Sequence, residues 1–278
     1  MAAERRRNGD QETCNNTSVI LRIRALPLPL PLPLPSLPLR LFAPLAMSAP
    51  VTIVPAASIS DHASAEDGVR RPGLGPRLRR LHGRIGKAHH QAEGMAFPRS
   101  LLAGEATPLQ LAALIRALAP AYALLEERAP ALASALGAHQ IPWAALARRP
   151  GLDRDCARLA ALPATPLSAA AAAWLERLDG LARQAPHRLL AHVYVRYGGD
   201  LSGGQQLAQR AGAILAAHGL PALDFWRFSQ PIAELKQQLH DGYEALELSD
   251  AEEEELLAES EVAFHATQQL LAELAQLS

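Results

Sequence analysis

His89 and a glycine-rich stretch about 110 residues later are the parts of the sequence whose residue types could do chemistry. Ten histidines are too many for one site, so position has to select among them. Leu81, Ile85 and Ala88 recur at the spacing of one helix face, which places His89 beside a buried stripe. A histidine there is either a ligand or a boundary side chain that is hydrogen-bonded to a carbonyl or to water.

The glycine-rich stretch, residues 194–205, has four glycines within seven positions, at Gly198, Gly199, Gly203 and Gly204. Each glycine in a helix interior costs about 0.5–1 kcal/mol relative to alanine, so some gain must offset that cost. A simple helix break is one explanation, and close packing of another helix against two glycines spaced four apart is a second. A third is a backbone that bends over a flat ligand and approaches it without side chains, with Asp200 held nearby in a dry pocket.

Helices must position these residues. From Pro76 onward, apolar residues recur every three or four positions, and prolines and glycines separate the segments. Thr107 and Pro108 are a cap and a first-turn proline, and the helix that they begin runs toward Glu126. Because no segment alternates like a strand, the predicted fold class is all-α, with one multi-helix domain over residues 76–278. Further helices are predicted over 152–161, 168–184, 187–217, 230–247 and 249–276.

Composition excludes several classes of function. Lys and Arg number 27 and Asp and Glu number 28, so the net charge is −1 and no broad positive field favours nucleic acid or anionic lipid. Aromatic residues make up 4% of the chain, too few for base-stacking surfaces. Cys14 and Cys156 form neither a disulfide framework nor a thiolate zinc pattern, which fits a reducing compartment and predicts a cytoplasmic location.

Residues 1–75 differ from the rest of the chain. Leucine and proline alternate from Leu26 to Pro35, which removes backbone donors and fixes φ near the polyproline value. A secretory signal would need a helix-competent apolar core, and no run reaches the ~20 consecutive apolar residues of a membrane span. We expect a disordered, low-complexity extension. Part of it is a candidate for an over-long gene start, with Met47 as a second plausible beginning.

The glycine-rich stretch also carries a family resemblance. Gly-Asp-Leu-Ser-Gly-Gly-Gln at 199–205, preceded by Tyr-x-Arg-Tyr at 194–197, resembles the distal-helix signature of the haem oxygenase family. The motif His-x-x-Ala-Glu at 89–93 resembles the proximal haem-ligand motif, in the same order and at a similar separation. Residues 121–127 and 225–228 are similar to the second long helix and to the segment beyond the distal helix. The resemblance covers residues 77–276 and implies that haem lies between a proximal helix and a glycine-rich, kinked distal helix.

The resemblance implies roles for individual residues. His89 is the implied protein ligand of the haem iron, and it leaves the opposite face of the iron open for O2. Gly199 and Gly203 would let the distal helix approach the iron closely, and Asp200 would order the water that delivers a proton. Arg196 is either a second member of this distal group or a partner of a haem propionate. The other cofactor-binding residues that the resemblance implies are Tyr194, Lys236 and Gly204.

The sequence departs from the family pattern where cationic groups meet the haem propionates. The position seven residues before the proximal ligand, commonly Lys in the family, is His82. The position four residues after Lys236, where the family has Arg, is His240. Histidine can bond a carboxylate but lacks the permanent charge and the planar fork of arginine. The seating of haem and the position of ring opening therefore stay open.

By resemblance, the chain is an enzyme that cleaves haem with O2 to biliverdin, carbon monoxide and free iron. No Gly-x-Gly-x-x-Gly motif is present, so no flavin or NAD site is expected and the electrons must come from an external donor such as a ferredoxin or reductase. Basic residues on the first helix could meet an acidic donor, or they form an ordinary solvated face. These residues are Arg77, Arg79, Arg80, Arg84 and Lys87.

Two other classes of function remain. One is a non-catalytic haem carrier or sensor of the same fold, although a pure binder has no need of a proton relay at Asp200. The other is a di-iron or cofactorless member of the helical superfamily, which would want several inward-facing Glu and His residues at helical spacing. The acidic run at 252–255 looks solvated and does not supply that set.

Overall fold

A computed structural model describes residues 74–277, and over this range the chain forms helices and no strands. The predicted all-α class is confirmed. Most of the extension predicted to be disordered, residues 1–75, lies outside the described residues. The helices are α1 (Pro76–Glu93), α2 (Ala96–Ala103), α3 (Pro108–Ala135), α4 (Trp143–Leu146), α5 (Arg149–Arg158), α6 (Ala169–Gln184), α7 (Pro186–Ser202), α8 (Gly204–Ala217), α9 (Ile232–Glu244) and α10 (Asp250–Leu274).

Side-chain caps fix the starts of α3 and α10. The Thr107 hydroxyl accepts the backbone N–H of Gln110 at 3.2 Å, and the Gln110 side chain accepts the N–H of Thr107 at 2.9 Å. Ser249 and Glu252 form the same reciprocal pair at the start of α10. Each pair satisfies two N–H groups that have no partner within the helix. Because the two residues of a pair are three positions apart, the starts of these helices can be predicted from the sequence.

α3 runs through the core. The sequence predicts an end near Glu126, whereas α3 continues to Ala135, with Ala129 and Ala133 fully buried on its last turns. By length and hydropathy alone α3 could cross a membrane, but 56% of its most apolar 18-residue stretch is buried inside the protein. No other helix of the described residues meets that criterion. Burial against the neighbouring helices accounts for its apolar character.

α7 is the central helix, and it packs against α3, α6, α8, α9 and α10. Tyr122 of α3, Tyr197 of α7 and Tyr243 of α9 are the largest fully buried side chains. The Tyr243 hydroxyl donates to the Leu190 carbonyl at 2.5 Å, which ties α9 to α7. The residues predicted to form the distal helix are therefore carried by the most enclosed helix of the domain.

A buried ion network fastens α10 to α6 and α7. The Glu259 carboxylate is fully buried and accepts hydrogen bonds from Arg177 at 2.6 Å, Arg188 at 2.6 Å and His192 at 2.9 Å. The Trp174 indole N–H donates to His192 Nδ1 at 3.1 Å, so the imidazole proton lies on Nε2 and points at Glu259. A buried carboxylate with three donors is well satisfied, and losing one donor would be costly.

α10 lies beside the face of α1 that the sequence predicts to be basic. Glu254 and Glu255 stay exposed, as the sequence predicts for the acidic run. This run nevertheless supplies most of the partners of the basic residues, which the sequence does not predict. The cause is a long-range pairing that neither segment reveals by itself. Arg79 and Lys87 have no carboxylate partner among the described residues. The pairs are Arg77–Glu253, Arg80–Glu253, Arg80–Glu254, Arg84–Glu254 and Arg84–Glu261.

The remaining differences from the predicted helices are local. The helix predicted over 187–217 is divided at Gly203 into α7 and α8. α5 begins and ends three residues before the predicted range of 152–161. α2 and α4 have eight and four residues and are too short for an apolar periodicity to show.

Candidate functional site

α1 presents a stripe of three residues, His82, Gly86 and His89, on one face. Their spacing of four and three residues places them above one another. The adjoining face of the helix is buried through Leu81 and Ile85. A Cβ added to Gly86 would meet nothing within 4 Å, so open space lies in front of the helix between the two histidines.

His89 is half-exposed and has one free ring nitrogen. Its Nδ1 lies 3.5 Å from Glu93 Oε1, and its ring lies 5.8 Å from the ring of Phe264, centroid to centroid. Nε2 makes no hydrogen bond within residues 74–277, which leaves it available to a ligand. Neighbouring His90 is 83% exposed and lies 3.6 Å from the other Glu93 oxygen. Of the two histidines, His89 is the one that faces the stripe.

Gly199 and Gly203 form an exposed surface where α7 ends. The N–H of Gly203 donates to the carbonyl of Gly199 at 3.0 Å. A Cβ at Gly199 would meet nothing within 4 Å, and one at Gly203 would reach only the Gly199 carbonyl at 4.0 Å. Packing within the described residues therefore does not require either glycine. Close helix packing does not explain these two glycines. The break between α7 and α8 falls at Gly203, in agreement with the helix-break explanation, and the approach of the backbone to a ligand stays a prediction.

Gly204 differs from these two glycines. It is buried, and a Cβ added to it would lie 2.8 Å from Cδ1 of the Trp226 indole. The Gln205 side chain donates to the Trp226 carbonyl at 3.1 Å and strengthens this contact. Packing against Trp226 explains the glycine at 204, and the cofactor-binding role predicted for it stays a prediction.

Asp200 follows Gly199 on α7 and is buried, with 3% of its surface exposed. The Tyr122 hydroxyl donates to Asp200 Oδ2 at 2.5 Å, and Arg196 Nη2 lies 3.7 Å from Oδ1. Burial raises the pKa of Asp200, while Arg196 and the Tyr122 hydrogen bond oppose that shift. The carboxylate is held in place and has a raised affinity for a proton.

Arg196 belongs to this distal group. Its Nε donates to the Tyr122 hydroxyl at 3.2 Å, and its guanidinium carbon lies 5.7 Å from the ring centre of Tyr122 and 6.0 Å from that of Trp174. The Tyr122 hydroxyl thus accepts from Arg196 and donates to Asp200. Of the two roles left open by the sequence, membership of the distal group is the one that this geometry supports.

Tyr122 is the residue that sequence reasoning missed. It lies on α3, 78 residues before Asp200, within a stretch that shows only a helical pattern. A second layer lies beside it, where the Tyr197 hydroxyl donates to Glu126 at 3.0 Å. The rings of Tyr122 and Tyr197 are 5.4 Å apart. Neither position carries a local signal for its hydroxyl partner.

A second polar group joins α1, α7 and α9. The Tyr194 hydroxyl lies 2.7 Å from Nε2 of His82 and 3.4 Å from Nε2 of His240, and we call these residues the His–Tyr–His cluster. Burial, and then Lys236, lowers the pKa of both histidines, that of His240 to about 4. Lys236 is four residues before His240 on α9 and makes no hydrogen bond among the described residues.

The residues present fit a flat, iron-containing ligand that bears carboxylates. His89 offers one free imidazole nitrogen, Gly86 and Gly199 leave open space, and Asp200 supplies a hydrogen-bonded carboxylate. Among the described residues, one group of three side chains is close enough together to hold a metal ion. It consists of His89, His90 and Glu93, and all three are exposed. That arrangement differs from the inward-facing set of a di-iron centre.

Sequence comparison places the chain among known proteins. A sequence profile of the family described as "Heme oxygenase" matches residues 78–273. The chain is 30% identical over 209 residues to "Heme oxygenase 1" of Pongo abelii, covering 69% of each protein. It is 26% identical over 199 residues to "Heme oxygenase" of Rhodella violacea, covering 68% of this chain and 82% of that one.

Solved structures agree with the sequence comparison. Haem oxygenase of Leptospira interrogans superposes with a TM-score of 0.64 at 28% identity, over 71% of this chain and 98% of that one. Haem oxygenase-1 of Synechocystis sp. PCC6803, solved in complex with haem, superposes with a TM-score of 0.61 at 26% identity, over 71% of this chain and 91% of that one. The chain therefore belongs to the haem oxygenase family.

Proposed function

We propose that the chain is a haem oxygenase that converts haem to biliverdin, carbon monoxide and ferrous iron, with O2 and electrons from an external donor. The observation that carries this proposal is the open surface at Gly199 next to the buried, hydrogen-bonded Asp200 on the same helix. A haem carrier would need the open surface but not the carboxylate behind it. Family membership and the haem complex of the Synechocystis relative support haem as the ligand.

His89 is the residue that would hold the haem iron. Its free Nε2 is the donor atom, and the Glu93 carboxylate near Nδ1 keeps the ring oriented. Haem, when bound, supplies both the iron that reacts with O2 and the ring that is oxidised. Because His89 would supply a single donor atom from α1, the residues of α7 would be left to control how O2 reaches the iron.

The glycine surface restricts the space on the α7 side of the ligand. Side chains at Gly199 and Gly203 would fill the region that the helix backbone leaves open. A narrow, side-chain-free region lets the backbone approach the ligand and limits the directions in which a small molecule can lie. With haem bound, the restriction by Gly199 and Gly203 would favour oxidation at the edge of the ring.

Asp200 is the group that would manage the proton. The Tyr122 hydroxyl occupies Oδ2, and Oδ1 faces Arg196 at 3.7 Å, so Oδ1 is the atom left to accept a hydrogen bond from water. The pKa of Asp200 is raised by burial, which helps the carboxyl group to take up and pass on a proton. Arg196 and Tyr122 hold this carboxylate in one orientation.

The electron donor and the cytoplasmic location are parts of this proposal. Three of the five basic residues on the α1 face first predicted to meet an acidic donor are paired with α10 carboxylates, so that surface gives little support to the choice of donor. Whether the donor is a ferredoxin or a reductase is decided by reconstitution with each protein.

The proposed function is tested by adding haemin to the purified protein. We expect a sharp absorption band from a histidine-bound haem and, after a reductant is added in air, its replacement by the absorbance of biliverdin. Released carbon monoxide and ferrous iron should each equal the haem consumed. A protein that binds haem and returns it unchanged after reduction in air would contradict the proposal and would support a carrier or sensor.

A further inference from the structure

His82 lies on the same face of α1 as His89, two turns away. Seven residues amount to about 700° of rotation, close to two full turns, and to about 10 Å of helix length. Gly86 stands between the two histidines, with open space in front of it. A flat ligand that is held by His89 and lies along this stripe therefore extends toward His82 and its two partners.

The His–Tyr–His cluster uses only some of its hydrogen-bonding atoms within the protein. Tyr194 has one O–H and can donate to one imidazole, so the other imidazole must donate to the Tyr194 oxygen. Both imidazoles use Nε2 for these bonds, and Nδ1 of each makes no hydrogen bond within residues 74–277. A protonated His82 or His240 could therefore donate from Nδ1 to a ligand while its Nε2 bond to Tyr194 is kept.

The charges around the cluster leave both histidines without a carboxylate partner from the protein. On α9, Asp241 accepts from Gln237 at 2.7 Å, and Glu244 accepts the backbone N–H of Leu78 at 2.8 Å. The α10 carboxylates that reach α1 are paired with its arginines, and α7 adds the neutral Tyr194 and, behind it, Tyr243. The nearby groups that bear positive charge or can acquire it are Lys236 and, on α1, His89.

The resemblance implies that the haem carboxylates lie beside the His–Tyr–His cluster, and we propose that His82 and His240 take up protons when these carboxylates bind. The inference rests on the proposed function, because it takes haem as the ligand. A site built on permanent cations would bind carboxylates with the same strength at any pH near neutrality. Here the positive charge is formed by binding, so haem affinity is coupled to pH.

The direction of the coupling follows from linkage. Burial and Lys236 lower the pKa of both histidines in the free protein, so both are neutral near pH 7. A bound carboxylate favours the charged imidazole and raises its pKa. At pH values between the pKa of the free protein and that of the complex, the complex holds more protons than the free protein. Haem affinity therefore rises as the pH falls, by up to about tenfold per pH unit for each proton taken up.

The test compares haem affinity from pH 8 to pH 6 in the native protein and in the variant H82K/H240R. Affinity is measured by absorbance titration of the ligand-free protein with haemin. Because His89 must be neutral to bind iron and is present in both proteins, its effect cancels in the ratio of the two affinities. We expect the ratio of native to variant affinity to rise by about tenfold or more over this range.

A ligand without carboxylates gives a second test on the native protein, in case the variant does not fold. The dimethyl ester of haem keeps the ring and the iron but cannot form the ion pairs. Relative to haemin, its affinity should fall as the pH drops from 8 to 6. A constant ratio in either comparison overturns the inference and leaves the proposed function standing, whereas no haem binding at any pH overturns both.

Discussion

Replacing Tyr122 by Phe removes one hydroxyl and little else. That hydroxyl donates to Asp200 Oδ2 at 2.5 Å and accepts from Arg196 Nε at 3.2 Å, so one atom links the two charged members of the distal group. The ring is fully buried against Tyr197 and Phe225, and those contacts stay in the variant. The change therefore isolates the hydrogen bonds from the packing.

The expected loss of stability can be estimated from these two bonds. Both involve a charged partner, for which a single hydrogen bond contributes about 1.5–3 kcal/mol. Asp200 would also be left with a buried oxygen that lacks its donor, and its pKa should rise further because the Tyr122 hydrogen bond opposes the effect of burial. We expect Tyr122→Phe to lower the free energy of unfolding by about 2–4 kcal/mol. Biliverdin formation should slow by about 10²-fold, as for the loss of a group that orients a proton donor.

Tyr197→Phe is the matched control. Its hydroxyl donates to Glu126 at 3.0 Å, in the layer beside the distal group, and it makes no hydrogen bond to Asp200 in the described structure. This variant should lose stability by about 1.5–3 kcal/mol and keep its rate of biliverdin formation. Denaturant unfolding and single-turnover assays with bound haem measure the two quantities. Equal rates in Tyr122→Phe and Tyr197→Phe would refute the assignment of Tyr122 to the distal group.

His89→Ala should lose the absorption band of a histidine-bound haem, with partial recovery in added imidazole, and His90→Ala should change neither; equal damage from both would contradict the ligand assignment. Burial disfavours the ionised Glu259, but its hydrogen bonds outweigh burial and lower its pKa to about 2. The folded chain thus binds fewer protons than the unfolded chain below about pH 4.5, and the free energy of unfolding should fall by about 2–3 kcal/mol as the pH drops toward 2. Glu259→Gln should flatten that part of the pH profile in denaturant titrations, and an unchanged slope would count against the network. A chain that begins near residue 70 should melt and bind haem as the full chain does, because alternating Leu and Pro cannot bury a core; a large drop in melting temperature would show otherwise.

The parts of the fold that the sequence predicts are those with local causes. The cap at Thr107 and the cap at Ser249 each consist of residues three apart, so the starts of α3 and α10 are readable without the fold. The glycines near 200 mark the break between α7 and α8, although apolar periodicity runs through it. The predicted end of α3 at Glu126 is too early, because only its neighbours in space show that the next turns are buried.

The site is predictable where one motif holds the residues and not where distant helices meet. Asp200 and Gly199 share a motif, whereas Tyr122 reaches Asp200 from a helix 78 residues away. The same limit explains the α1 face, whose arginines look free until α10 is placed against them. In each case the missing information is the contact between two helices, which neither helix pattern contains.

Asp200 is the residue on which the proposed distal mechanism depends most, and Asp200→Asn tests that mechanism without changing the implied iron ligand. Asn keeps the size of the side chain but cannot carry the negative charge or move a proton as a carboxylate does. We expect haem affinity to change by no more than about twofold and the rate of biliverdin formation to fall by about 10²–10³-fold, both measured on the same preparation. Biliverdin formed at close to the parent rate, with haem bound normally, would contradict the proposed distal mechanism and would leave only the fold in common with the family.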